Sequence, residues 1–279
     1  MKKFLAVFDG YKLSKSTLAY AEELTAAGNA HLVGGFLDEF LYHSYSVGKI
    51  YKTYEKPEEV IKQLDEKDKK KRDEAVLQFQ KSCEKAKISF SIHRDKSIAL
   101  QELKLESMFA DLIIISEHET FNQYKEKSPT RFMKELLADV QCPVLVVPAN
   151  YKPIDKIVLL YDGGPSSVYA IKIFSYLVSD FNGVPVEVFT VKDRNIDLHL
   201  PDNKLMKEFI KRHFPKATYT VTKGDAEEQI KGYLQNHKEN ELVVLGAYRR
   251  SELSRWFKTS MADILMRDLN TPLFIAPNN

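Results

Sequence analysis

An Asp-Gly pair follows an apolar run at two places in the sequence, Asp9-Gly10 and Asp162-Gly163. Each pair precedes a stretch long enough for a helix. We therefore expect both carboxylates at the carboxyl edge of a parallel sheet, where α/β folds bind ligands. The same carboxylate can instead form an Asx turn or cap the following helix. For Asp162, the sequence leaves the ligand role and the turn role equally open.

The residue types used most often in catalysis form no recognisable catalytic group. The seven histidines lack the spacing of a zinc site, and neither Cys83 nor Cys142 has a histidine close to it in sequence. We expect no catalytic residues and no metal site, and both cysteines are interpreted as structural. The sequence therefore favours a binding protein over an enzyme, although it does not decide the question.

The sequence contains two copies of one pattern, here called the first and second repeats. The segment 3–10 returns 153 residues later as 156–163, and 136–148 returns as 265–277 at a spacing of 129. The change of spacing places about 23 extra residues in the first repeat. Internal similarity of this kind indicates repeated structural units. We therefore predict two domains, 1–150 and 151–279, with an insertion at about 38–87.

Short β-branched runs alternate with amphipathic stretches in both repeats, a pattern typical of βαβ units and a parallel sheet. The fold class is α/β, with two tandem doubly wound parallel sheets. For the second repeat the predicted strands are 156–161, 185–191, 217–222, 241–245 and 272–276, and the predicted helices are 166–179, 203–213, 225–236 and 259–269.

Composition narrows the function classes further. The 41 basic and 39 acidic residues give a net charge of +2, too small to indicate nucleic acid or an anionic membrane as a partner. No apolar run reaches the 18 or so residues that a membrane span requires. The two widely spaced cysteines are not typical of a secreted disulfide framework. We expect a cytoplasmic protein without a membrane span.

These features resemble a tandem member of the universal stress protein family. The resemblance rests on Asp9, Asp162, the segment 223–227, the strand that ends at Gly246, and the proline-flanked last strand of each repeat. It implies adenine nucleotide alpha hydrolase-like domains that pair through their last strands, 143–147 and 272–276, as a pseudo-dimer. It also implies a role in stress adaptation through a small-molecule ligand or an unknown protein partner. Further oligomerisation is left open.

Nucleotide-binding members of that family carry Gly-x-x-Gly, nine residues, and then Gly-Ser or Gly-Thr. The second repeat keeps Gly246 and Ser260 but has Arg249 and Thr259 where the pattern has glycine. Glycines let a backbone approach phosphate, and the following helix N-terminus offers free N–H groups. Arg249 can either clamp a phosphate or occupy its place. The resemblance thus implies ATP as a ligand of the C-terminal domain only, with Asp162 near the adenosine.

The first repeat departs further from this pattern. Glu119 stands in place of the second glycine, and Ser128-Pro129 lies where the later glycine belongs. A carboxylate about 4 Å from a phosphate charge costs about 4 kcal/mol at an effective dielectric near 20. We therefore predict no nucleotide in this repeat. Ser128 and Pro129 are interpreted as an N-cap and first helical residue.

The insertion holds a charged helix and an aromatic segment. Residues 58–87 are predicted to be helical, and because 65–74 are all charged, this part is predicted to project into solvent. Contact with an acidic partner or nucleic acid is the alternative. The preceding loop carries aromatic side chains that either cover a small-molecule or lipid pocket or pack over the other repeat: Tyr42, Tyr45, Tyr51 and Tyr54.

Three hypotheses follow. The first is a stress-type protein that binds a ligand or partner through degenerate nucleotide loops. The second is an ATP-binding stress protein that uses only the C-terminal domain, and the third is a small-molecule or lipid carrier with the aromatic loop as a lid. Trp256, beside the altered phosphate loop, is interpreted as a packing residue.

Overall fold

A computed structural model describes residues 1–37, 45–95, 98–122, 124–178, 181, 183–192, 199–236, 240–246 and 260–277. In this part of the chain the strands form one ten-stranded sheet. The strands of the first repeat are β1 (Lys2–Phe8), β2 (Ala30–Leu37), β3 (Phe90–Asp95), β4 (Leu112–Ser116) and β5 (Val144–Val147). Those of the second repeat are β6 (Lys156–Leu160), β7 (Val186–Lys192), β8 (Thr218–Lys223), β9 (Glu241–Gly246) and β10 (Leu273–Ala276).

Helices connect the parallel strands within each repeat. In the first repeat they are α1 (Lys15–Gly28), α2 (Val47–Thr53), α3 (Pro57–Ala86), α4 (Ala99–Ser107) and α5 (Arg131–Asp139). In the second they are α6 (Pro165–Leu177), α7 (Asn203–His213), α8 (Ala226–Asn236) and α9 (Met261–Asp268). The predicted strands and helices of the second repeat agree with these bounds to within two residues, because the apolar periodicity and the turn residues indicate the same limits.

The sheet has mirrored halves, with the strand order β3-β2-β1-β4-β5-β10-β9-β6-β7-β8. Pairing is parallel within each half and antiparallel at the centre, where Leu145 faces Phe274. The predicted joining of the last strands is therefore confirmed. This pairing also removes an exposed edge from each half, since an unpaired edge strand is a template for aggregation.

Helices on both faces bury the central strands. All of Leu112–Ile115 and Leu242–Val244 is fully buried, which explains why these strands are apolar throughout rather than alternating. On one face of the first repeat, Phe79 of α3 packs edge-on against Phe8 and Phe36. This aromatic contact fixes α3 on β1 and β2.

The insertion takes the form of a helical hairpin, α2 followed by the 30-residue α3. A helix of that length spans about 45 Å, whereas α7, its counterpart in the second repeat, has only 11 residues. The buried apolar residues of α3 all lie in its C-terminal half, at Ala75, Phe79 and Cys83. The N-terminal half therefore extends past the carboxyl edge of the sheet. Among the described helices, none is long and apolar enough to cross a membrane.

Candidate functional site

The two Asp-Gly turns have the same local geometry at the carboxyl edge of the sheet. Asp162 Oδ1 accepts hydrogen bonds from the backbone N–H of Gly164 at 2.8 Å and from the Ser167 hydroxyl at 2.6 Å. Asp9 Oδ1 accepts from the backbone N–H groups of Tyr11 and Lys12 at 3.0 and 3.1 Å. Both aspartates therefore form Asx-type turns, whatever else they bind.

The turns differ in how soon the next helix begins. Helix α6 begins at Pro165, three residues after Asp162, whereas α1 begins at Lys15, six residues after Asp9. Gly10 and Gly163 have φ values of +78° and +79°, so both turns depend on the left-handed conformation that favours glycine. Tyr11 takes the position that Gly164 occupies in the second repeat, two residues after the aspartate, and the extra residues of the first repeat lie between Tyr11 and α1.

Gly246 ends β9 directly against the first turn of α6. A Cβ atom at this position would lie 2.9 Å from the backbone nitrogen of Ser167 and would collide with the carbonyl group of Ser166. The glycine is thus required by packing, independently of any ligand. Ser167 in turn bonds to Asp162, so these side chains and Gly246 form one compact corner of the second repeat.

Ser260 occupies the N-cap position of α9, and its hydroxyl lacks the usual capping bond. Its Oγ is buried and has no hydrogen-bond partner among the described residues. Thr130, its counterpart in the first repeat, is fully buried, accepts from the Met133 N–H at 3.2 Å and donates to the Glu119 carbonyl at 2.7 Å. The equivalent hydroxyl therefore makes two hydrogen bonds in the first repeat and none to the described residues in the second.

The carboxyl edge of the first repeat is acidic. Desolvation raises the pKa of Glu119 to about 7, and the neighbouring Asp9 carboxylate raises it in the same direction. Burial also raises the pKa of Asp9, despite the N–H groups of its turn and the Arg72 charge, which lower it. The nearby Glu117 is buried, which raises its pKa to about 7. An anionic ligand would meet these carboxyl groups here.

A basic side chain of α3 lies on the same edge. The Arg72 guanidinium lies 4.2 Å from the centroid of the Tyr11 ring and donates a hydrogen bond of 2.5 Å to the Tyr11 hydroxyl. One helical turn earlier, Asp68 is buried, with 3% of its surface exposed. Most of 65–74 is exposed, as the sequence predicts, but Asp68 is buried and Arg72 contacts the turn at the sheet edge.

Comparison with solved structures identifies this architecture. A universal stress protein from Archaeoglobus fulgidus aligns with 99% of this chain and 98% of its own, with a TM-score of 0.69 and 15% identity. The chain has the tandem universal stress protein fold. A functionally unknown protein, PA1789, from Pseudomonas aeruginosa PAO1 aligns with a TM-score of 0.61 and 14% identity over 99% of this chain and 92% of that one.

A third structure, described as a candidate universal stress protein from Pseudomonas aeruginosa UCBPP-PA14, aligns over 99% of this chain and 93% of its own, with a TM-score of 0.63 and 15% identity. No protein-family model and no curated protein matches the sequence. At such low identity the universal stress protein fold is what these likenesses establish. The fold implied by the resemblance is therefore confirmed.

Three predicted site residues lie outside the described residues, namely Arg249, Thr259 and Tyr42, and so does Trp256, which the sequence indicates to be a packing residue. Of the aromatic segment, the Tyr45 hydroxyl donates to Asp65 of α3 at 2.5 Å. Tyr51 lies in α2 and Tyr54 directly follows it, with 57% and 52% of their surfaces exposed. The segment predicted as a loop is thus partly helical and belongs to the α2–α3 hairpin.

The helix that follows the acidic loop begins later than predicted. Thr130 is the N-cap of α5, while Ser128 and Pro129 precede the helix and are joined by a cis peptide bond. The sequence interpretation of Ser128 as the cap is therefore wrong. Thr130 competes successfully because its hydroxyl both caps α5 and fixes the Glu119 carbonyl.

Sequence reasoning missed Tyr11 and Arg72 in this universal stress protein fold. The repeat alignment contains a signal for Tyr11, because it places this large side chain opposite Gly164. Arg72 is an arginine that directly follows the three lysines at 69–71, which is a weaker indication of a specific contact. Its contact depends on the length of α3, which becomes visible only once the helix is placed on the sheet.

Proposed function

We propose that this chain is a universal-stress-type binding protein with one ligand site, at the carboxyl edge of the second repeat. The ligand that best fits is an adenine nucleotide such as ATP, bound without rapid turnover. In this proposal residues 1–150 form a domain without nucleotide, and residues 151–279 form the binding domain. The biological role that follows is stress adaptation, with the nucleotide or a protein partner as the signal.

The contrast between Ser260 and Thr130 carries the proposal. A buried hydroxyl without a partner is unfavourable, and a phosphate oxygen at the start of α9 would accept its hydrogen bond. The helix N-terminus adds backbone N–H groups and a favourable dipole for an anion. In the first repeat, Thr130 has no such bond to offer because both of its bonds are already made.

The other candidate residues follow from their positions. Gly164 places no side chain beside Asp162, whereas the space that a side chain at Gly246 would need is already filled by the backbone of α6. Arg249 and Thr259, in the segment between β9 and α9, would clamp the phosphates by a charge-assisted contact and a hydroxyl. Asp162 would reach the adenosine while Oδ1 keeps its bonds to the turn.

Native mass spectrometry of the purified protein followed by calorimetric titration with ATP tests this proposal. We expect one nucleotide per chain, and about tenfold weaker binding in Ser260→Ala, because a hydrogen bond to a charged group is worth about 1.5 kcal/mol or more. Arg249→Ala should weaken binding further. The matched control is Ser116→Ala, which changes a serine of the first repeat and should leave the affinity unchanged.

Two nucleotides per chain, or no binding at about 1 mM ATP, would contradict the proposal. A co-purified apolar ligand without ATP binding would favour the carrier hypothesis, in which Tyr42, Tyr45, Tyr51 and Tyr54 form a lid. Replacement of Gly246 by valine is unsuitable as a test of nucleotide contact. The added side chain would collide with the backbone of α6 whether or not a nucleotide binds.

A further inference from the structure

Arg72 of α3 lies at the part of the first repeat that corresponds to the Asp162–Gly164 turn of the second. Its guanidinium is stacked on Tyr11 at 4.2 Å, and Tyr11 follows the Asp9 turn by two residues. The second repeat has Gly164 at the position of Tyr11. A cation and an aromatic ring therefore lie where, among the described residues of the second repeat, the turn has only the glycine.

The surroundings of Arg72 explain why a cation is held there. Asp9 interacts electrostatically with Arg72 and Lys12, and Glu119 interacts electrostatically with Asp9. Two carboxyl groups in a desolvated setting repel one another when both are ionised, and a nearby guanidinium offsets that repulsion. Stacking on the Tyr11 ring adds a cation–π contact. These contacts suit a planar cation such as the guanidinium group.

The length of α3 brings this cation to the edge. The apolar anchor of the helix ends at Ala75, and Arg72 lies one turn further towards the N-terminus, next to the buried Asp68. A helix as short as α7 would end before reaching this position. The part of α3 that the insertion adds therefore makes a specific contact with the sheet edge. Arg72 makes this contact, one turn before the first buried apolar residue of the helix.

We propose that the first repeat carries a self-occupied site, in which Arg72 is a built-in cationic occupant of the Asp9–Glu119 corner. The contact fills this edge with a cation of the chain itself and fastens the N-terminal half of α3 to the sheet. The inference concerns the first repeat alone and is independent of whether the second binds a nucleotide.

Hydrogen exchange of the full chain without nucleotide tests the contact. In Arg72→Gln we expect protection to fall at least tenfold in residues 9–14 and in 57–71 of α3, while β4 and β9 keep their protection. Lys71→Gln, an exposed neighbour that removes the same charge, is the matched control and should change protection less than twofold. Equal losses in the two variants, or no loss in Arg72→Gln, would overturn the proposal.

A double-mutant cycle with Asp9→Asn separates charge pairing from packing. Asn keeps the Oδ1 acceptor that the turn requires but removes the negative charge. We expect Asp9→Asn to reduce the effect of Arg72→Gln on the unfolding equilibrium at least fivefold. Additive effects would overturn the proposal. If Arg72→Gln alone fails to fold, the double variant should fold, and its failure to do so would equally overturn it.

Discussion

The two repeats share one fold and one Asp-Gly turn, yet their carboxyl edges have opposite character. In the second repeat α6 begins three residues after Asp162, Gly246 packs against it, and Ser260 keeps a buried hydroxyl without a described partner. In the first repeat the turn is longer and Tyr11, Glu119 and Arg72 fill the edge. A few side chains and one longer helix account for the difference between the described residues of the two edges.

This difference teaches that symmetry of the backbone does not carry over to the site. The central pairing of β5 with β10 is symmetric, because the last strand of each repeat buries all four of its residues. The edges, in contrast, are built by loops and helix ends, where single residues decide what can bind. Single substitutions at the two edges should therefore have unequal effects.

The largest effect is expected from exchanging the residues that end the fourth strand of each repeat. Gly246→Ser places the residue of the first repeat into the second, where its Cβ would collide with the α6 backbone. Overpacking of this kind destabilises by about 3 kcal/mol. Urea unfolding of the variant should show this loss.

The reciprocal change, Ser116→Gly, serves as the control for that exchange. Ser116 is partly exposed, so the change should lower the free energy of unfolding by only about 1 kcal/mol or less, the usual penalty of a strand glycine. Similar losses in Gly246→Ser and Ser116→Gly would mean that the two strand ends are packed alike. The difference described between the corners would then be wrong.

A smaller, pH-dependent effect is expected from Glu119→Gln. The folded state raises the pKa of Glu119 from its ordinary value of 4.5 to about 7, so it binds this proton more tightly than the unfolded state does. The protein therefore loses stability as the pH rises through this range. At about 1.4 kcal/mol per pKa unit, this rise is worth at most about 3.5 kcal/mol. Because Glu119 is partly exposed and solvent screens its charge, we expect Glu119→Gln to be about 2 kcal/mol more stable than the parent at pH 8.

This advantage should disappear near pH 4.5, because the parent carboxyl group is then protonated in the folded state. Chemical unfolding at several pH values measures the trend. The exposed Glu55 offers a control, and Glu55→Gln should give a pH-independent difference close to zero. An equal gain from Glu119→Gln at pH 4.5 and pH 8 would show that Glu119 does not carry the predicted proton.

Most of the fold could be predicted from the sequence, and the closed edge could not. Apolar periodicity located β9 and α8, and the repeated ends 136–148 and 265–277 led to the central pairing. These features depend on local pattern and repetition. The contact of Arg72 with Tyr11 depends instead on how far a 30-residue helix extends past the sheet. The sequence reveals which residues of α3 are charged, but not which of them lie level with the carboxyl edge of the sheet.

The candidate site shows the same limit at single residues. The sequence left both roles of Asp162 open, and the structure shows the turn role directly. Glycine at position 246 suggested phosphate contact by resemblance, whereas the structure supplies a packing reason for it. The interpretation of Ser128 as a cap failed because serine and threonine are both good caps and lie two residues apart.

The smallest effect compares the two N-cap hydroxyls without any ligand. Thr130→Ala removes a capping bond and a bond to the Glu119 carbonyl from a fully buried side chain, which should lower the free energy of unfolding by about 1.5 kcal/mol. Ser260→Ala removes a hydroxyl that makes no bond to the described residues, so the expected loss is below about 0.5 kcal/mol.

Thermal unfolding of both variants, with and without 1 mM ATP, then connects stability to binding. ATP should stabilise the parent and Thr130→Ala by equal amounts and Ser260→Ala by less, because a ligand stabilises the folded state according to its affinity. A loss in Ser260→Ala as large as that in Thr130→Ala without ATP would mean that the Ser260 hydroxyl is satisfied within the chain. The second repeat would then be closed as well, and the asymmetry between the repeats would lie only in their charges.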